Sequence, residues 1–102
     1  MRKNKMQAAA PAKPNTPIST TYYLIYGWLV GKRERFGKYE TKEWLFRDGR
    51  WVPDTEFEIM DHLMGYDPSE PPGSPYAIGS TDVLMEMEEI SEEEALARIA
   101  KG

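Results

Sequence analysis

The one histidine of the chain, His62, sits in the stretch DHLMGYD, beside Asp61 and five residues before Asp67. An imidazole with nearby carboxylates is the raw material of a metal site or of an acid/base pair. On a helix, however, neighbouring residues diverge by about 100° around the axis, so Asp61 and His62 cannot face one ligand together. The spacing predicts a solvent-facing or locally bonded histidine, and no metal. Cysteine is absent, which removes thiol nucleophiles, thiolate ligands and disulfides. A serine nucleophile would have to use His62, and no serine lies in an elbow motif. Neither GxGxxG nor GxxxxGK[ST] occurs, so no phosphate cradle is encoded. Paired carboxylates carry no signal either, because the second half of the chain has thirteen acids and some pair can always meet. We therefore expect a non-enzymatic protein without a cofactor.

Binding chemistry is better represented. Residues 1–52 carry eleven basic side chains against four acidic ones, and residues 53–102 carry two against thirteen. The halves thus hold +7 and −11, which make up the net −4 of the chain. The aromatic strand around Tyr26 and Trp28, with Trp44 and Phe46 on a second strand, offers an apolar sheet face; exposed aromatic patches commonly mark partner sites. The run of Glu86, Glu88, Glu89, Glu92, Glu93 and Glu94 is denser than helix capping requires. It reads as a solvated face or as a surface for a basic partner. We expect Tyr26, Trp28, Trp44, Phe46, Glu88, Glu89, Glu92 and Glu93 to bind a protein partner or a second copy of the chain. The alternative is a role with nucleic acid. It would use the basic hairpin tip Lys32, Arg33, Arg35 and Lys38, or the carboxylates acting as a mimic of the phosphate backbone.

These residues must be positioned by a small number of elements. Residues 1–19 combine polar residues and alanine with three prolines and almost no bulky apolar side chain, and are expected to form a disordered basic tail. Residues 20–102 are expected to make one small α+β domain. TTYYLIYGWLVG reads as a strand with Tyr22, Leu24, Tyr26, Trp28 and Val30 on one face and Tyr23, Ile25 and Leu29 on the other. GKRERFGK would be its charged tip. A second strand follows in YETKEWLFR, then a two-residue Asp48-Gly49 hairpin, then Trp51 and Val52 up to Pro53.

Helical spacing of Phe57, Ile59, Met60, Leu63 and Met64 predicts a short helix over 55–64, with Thr55 and Glu58 as a capping box and Gly65 as its left-handed end. Four prolines between Pro68 and Pro75 make a loop, expected to be anchored by Tyr66 and Tyr76. Two readings fit the last segment, one helix from Asp82 to Lys101 or a strand and then a helix; alternation through Val83, Met85 and Met87 favours the strand. A Ser91-capped helix should follow, with Ala95, Leu96, Ile99 and Ala100 facing the sheet. The expected fold is an antiparallel sheet of three to four strands packed against that C-terminal helix, with the short middle helix beside it. Both helices would then cover one face and leave the other apolar face open.

The longest apolar run, Tyr22–Val30, is nine residues, well short of the roughly 20 that span a bilayer as a helix. No membrane association is expected. The N-terminal stretch has basic residues but lacks the apolar core of about 7–15 residues that a secretory signal needs, so a cytoplasmic location is expected.

Overall fold

The computed structural model describes residues 16–101. Residues 1–15, most of the expected tail, lie outside it, while Ser19 already opens the first strand. The strands are β1 (Ser19–Ile25), β2 (Leu29–Arg35), β3 (Thr41–Arg47), β4 (Arg50–Pro53) and β5 (Met87–Ile90). They form one antiparallel sheet in the order β4-β3-β2-β1-β5. The helices are α1 (Glu58–Met64), α2 (Thr81–Leu84) and α3 (Glu92–Ala100).

The sheet has five strands rather than three or four because the expected first strand folds back on itself. Tyr26 and Gly27 both take positive φ, 57° and 77°, and the Trp28 amide donates to the Ile25 carbonyl at 3.1 Å. Such a turn matches the twist of the strands it joins. Tyr26 and Trp28 are thereby removed from the sheet face that alternation assigned to them. The remaining face assignments survive, because the hairpin pairs Leu24 with Val30 and Ile25 with Leu29, residues of equal parity. The Lys32–Arg35 run is the second half of β2, not a tip; the actual turn is Phe36–Glu40, closed by the Phe36 amide on the Glu40 carbonyl. Asp48 and Gly49, at φ 55° and 80°, make the expected tight hairpin into β4.

The two faces are covered by different helices, which corrects the expectation of one bare face. On one side Tyr23, Ile25, Leu29 and Leu45 pack with Ile59 of α1, with Val52 and Met87 at the margin. Gly31 makes this approach close: a Cβ there would meet Ile59 Cδ1 at 3.0 Å and Leu45 Cδ2 at 3.3 Å. On the other side Leu24, Val30 and Ile90 pack with Ala95 of α3, flanked by Tyr22, Phe46, Trp51 and Ile99. α3 begins as expected, the Ser91 hydroxyl accepting the Glu94 amide at 3.1 Å. Ala95 and Ile99, one turn apart, meet the sheet, whereas Leu96 and Ala100 lie about 100° further round and are exposed.

α1 starts at Glu58, three residues later than expected. Thr55 does not cap it; Asp54 accepts the amides of Glu58 and Ile59 at 3.0 and 2.9 Å. Gly65 ends it at φ 67°, as the sequence indicates. The strand expected over Val83–Met87 is displaced to Met87–Ile90, since Ser80 caps the short α2 instead, its hydroxyl accepting the Val83 amide.

Candidate protein-binding surface

The aromatic residues expected to act together are divided among three settings. Tyr26 lies in the β1–β2 turn, where its hydroxyl donates to Glu58 Oε1 at 3.2 Å and its ring meets His62 edge-on at 5.1 Å. Trp44 is half-buried on the α3 side of the sheet and its indole N–H donates to Glu34 at 2.8 Å. Phe46, on the same face, packs edge-on against Trp51 with ring centroids 5.3 Å apart. Trp51 also carries the Lys32 ammonium 4.4 Å from its ring centre. Each of these rings already has a partner within the fold.

Trp28 differs. The turn that ejects it from the strand leaves it 63% exposed, beside the C-terminal half of α3. Trp28, Val30, Phe46 and Ile99 supply the apolar walls of a groove of about 470 Å³, which runs between α3 and the β3–β4 turn. Arg98 and the hairpin stretch 47–49 form its rim, the Arg47 side chain alternating to the α1 face with Leu45. An adjoining hollow shares Trp28 and Arg98 and adds Gly27, Glu94, Ala97 and Lys101. Of the expected aromatic set, the groove unites Trp28 and Phe46; Tyr26 and Trp44 stand apart from it. Arg98 and Ile99, which sequence reasoning did not include, complete it. The signal that could have found the groove is Gly27, read as a turn residue.

The carboxylates Glu88, Glu89, Glu92 and Glu93 are all exposed, at the β5 edge of the sheet and the first turn of α3. They do not share one face. Glu88 pairs in register with Leu24 and Glu89 with Tyr23, so their side chains leave opposite faces of the sheet. Glu92 receives a long hydrogen bond of 3.5 Å from the Tyr22 hydroxyl. Burial, helped by Glu92, raises the Tyr22 pKa above its ordinary value. Burial likewise raises that of Tyr23, opposed by Arg33, and that of Tyr26, helped by Glu58.

The basic set is dispersed as well. Lys32 points to the α3 side over Trp51, and Arg33 to the α1 side, where its Nε lies 3.2 Å from Glu43 Oε2. That contact pairs the charges without the alignment of a hydrogen bond. Arg35 is exposed at the end of β2, and Lys38 sits in the following loop over Tyr39. Alternation along β2 is the reason: successive side chains of a strand cannot present one patch.

His62 is not solvent-facing but buried, 4% exposed, with one local and one distant partner. Nδ1 lies 2.7 Å from the Glu58 carbonyl and Nε2 lies 3.0 Å from Glu86 Oε1. Neither Asp61 nor Asp67 is its partner; Nδ1 is held within α1, and Nε2 ties that helix to the segment entering β5. Among the described residues no group of three or more His, Asp or Glu side chains is placed to hold a metal ion. A second hollow of about 340 Å³ beside α1 is lined largely by polar residues, including Asp54, whose two oxygens already cap the helix.

The proline-rich loop closes through its backbone. The Asp67 amide donates to the Ala77 carbonyl at 2.8 Å, Gly79 to Met64 at 2.8 Å and Ser80 to Gly65 at 2.9 Å. The Asp67 carboxylate accepts the amide and hydroxyl of Ser69, and these bonds hold its pKa below the ordinary value. Tyr76 does not anchor the loop: it is 73% exposed, and Tyr66 is exposed too. No helix among the described residues is long and apolar enough to cross a membrane.

Comparison with protein-family models, with curated proteins and with solved structures finds no match for this chain.

Proposed function

We propose that this protein is a non-enzymatic protein-interaction module. It binds a protein partner, or a second copy of itself, through the groove walled by Trp28 and Phe46. The exposed Glu88, Glu89, Glu92 and Glu93 supply further acidic contacts at the β5 edge and the start of α3, on both sides of the sheet. The observation that carries this reading is Trp28: a tight turn holds one of the three tryptophans 63% open to water, at the edge of a concave apolar surface. Solvent-facing tryptophans in such places are over-represented among the residues that dominate binding energy. In a chain whose sheet is sandwiched on both faces, packing alone gives no reason for that exposure. The alternative of nucleic-acid binding through Lys32, Arg33, Arg35 and Lys38 has no single surface behind it, and no observation favours it over the groove. A cytoplasmic location belongs to the same proposal.

Two tryptophan variants test it. Trp28→Ser is expected to leave the thermal midpoint within a few degrees of the parent, because the side chain is largely solvated. Trp44→Ser is expected to lower it clearly, because it removes the bond to Glu34 and opens the sheet face, a cost of about 2–4 kcal/mol. Self-association measured by light scattering, or retention of a partner from the source organism, should be lost in Trp28→Ser while its fold persists. If the parent neither self-associates nor retains a partner, the interaction reading fails.

A further inference from the structure

We infer that His62 is held as the imidazolium and works as a pH-sensitive latch, fastening α1 and the β1–β2 turn to the segment that enters β5. The inference concerns this joint and stands apart from the interaction reading above. What the two ring nitrogens face carries it. Nδ1 is 2.7 Å from the main-chain carbonyl oxygen of Glu58, and Nε2 is 3.0 Å from a carboxylate oxygen of Glu86. A carbonyl and an ionised carboxylate both accept hydrogen bonds, and neither donates. A neutral imidazole has one N–H and one lone pair, so it satisfies only one of these partners. In the imidazolium both nitrogens donate and both bonds form, the second strengthened by opposite charge. The proton between Nε2 and Glu86 rests on the imidazole, the stronger base of the two.

The surroundings favour that charge. The ring is buried, so a lone pair aimed at a carboxylate oxygen would have little water to relieve it. From α1, Glu58 Oε1 lies 3.9 Å from Nδ1, and Asp61 adds a further carboxylate on the same helix. From the β1–β2 turn, Tyr26 sets its ring edge-on to the imidazole and donates its hydroxyl to Glu58 Oε1. The ionisable residue of α2 is Asp82, and on the sheet face under α1 Arg33 is paired with Glu43. Among the described residues neither Glu58 nor Glu86 has a lysine or arginine partner, which leaves His62 as their cation.

Glu86 is where the latch takes hold. Its carbonyl accepts the Tyr26 amide at 2.6 Å, and its own amide donates to the Val83 carbonyl at 3.1 Å. Tyr26 is the first residue of positive φ in the turn from which Trp28 projects. Loss of the proton leaves a lone pair facing a carboxylate, which frees the partly exposed Glu86 side chain to turn to solvent. The sign follows from the proton count. The fastened joint holds the extra proton, so it is complete at low pH and loosens as pH rises through about 5–8, where histidine changes charge.

The test uses the full chain, labelled with nitrogen-15 and followed by NMR from about pH 5 to about pH 9. Long-range ring spectra should show both nitrogens of His62 protonated at the acidic end. As the ring loses its proton, the amides of Tyr26 and Glu86 should shift with the same midpoint. Hydrogen exchange of the Tyr26 amide should speed up about tenfold beyond the intrinsic effect of base, the consequence of losing one charge-assisted bond. Glu86→Gln, at an exposed position, is the discriminating variant. Its terminal amide can donate to the neutral Nε2, so exchange at Tyr26 should stay slow throughout the range. A ring with a single proton on Nδ1 from the acidic end upward would overturn the inference. So would a ring titration that leaves the Tyr26 and Glu86 amides unmoved. An unaltered pH dependence in Glu86→Gln would overturn it as well, because the carboxylate would then not be the partner that matters. The interaction reading is judged separately, by the measurements on Trp28→Ser.

Discussion

Gly65 is the residue on which two parts of the chain close. It ends α1 at φ 67°, and a Cβ there would lie 2.8 Å from the Ser80 amide nitrogen and 3.1 Å from the Gly79 carbonyl carbon. Gly73, in the middle of the same loop, also has positive φ, but nothing lies within 4 Å of its missing Cβ. Gly73→Ala should therefore cost only the left-handed strain of an ordinary residue, about 1–2 kcal/mol. Gly65→Ala should cost more, because backbone atoms have to move as well, and should speed hydrogen exchange across residues 65–80. Equal denaturant midpoints for the two variants would show that the loop neck contributes nothing to stability. That a glycine stands at position 65 was legible from its place after the periodic run; that a second segment presses against it was not, because Gly79 and Ser80 are distant in sequence. His62 teaches the same lesson: its local partner is on its own helix, while Glu86 lies twenty-four residues away.

The ends of elements show which local signals are decisive. Ser91 before three glutamates and Asp48-Gly49 between strand-like runs are strong local signals, and both form as read. At α1 the pattern of Thr55 with Glu58 pointed to the wrong cap; Asp54 accepts the first free amides, with Phe57 in a left-handed conformation at φ 60°. Asp54→Ala is thus expected to cost about 0.5–2 kcal/mol. Thr55→Ala should stay within about 0.5 kcal/mol, as for an exposed site without a structural bond. Denaturant unfolding of the two variants checks this, and a larger effect at Thr55 would reverse the assignment. The Tyr26-Gly27 turn was missed for a related reason. Alternation of apolar residues continues unbroken through it, and tyrosine is a poor turn former, so only the glycine hinted at the fold-back. The equal parity of the paired residues then concealed the error, since Tyr22, Leu24 and Val30 share a face whether the chain is one strand or two.

For the whole molecule, the tyrosines link burial to pH. Tyr22, Tyr23 and Tyr26 have pKa values raised above the ordinary 10.0, in each case chiefly by burial, which disfavours the phenolate. A group whose folded pKa exceeds its unfolded one adds stability that is complete below the unfolded value and disappears as pH rises through the folded value. The tyrosines' contribution to stability should hold up to about pH 10 and then decline, with tyrosinate absorbance lagging behind that of the unfolded chain. Tyr23→Phe should flatten the decline, since Tyr23 belongs to the buried cluster against α1. Identical titration of folded and unfolded protein would contradict this. What the sequence by itself determined was the local material: an α+β chain, the strand-forming runs, the Asp48-Gly49 hairpin, the Ser91 cap, the Gly65 stop and the separation of charge between the two halves. Those follow from backbone preferences and neighbouring side chains, which act over a few residues. Only the tertiary structure decided that α1 and α3 take opposite faces, that the basic run is divided by its own strand, and that Trp28 is left outside to wall a groove. Those outcomes depend on which distant surfaces meet, and burial of apolar area is indifferent to where along the chain that area lies.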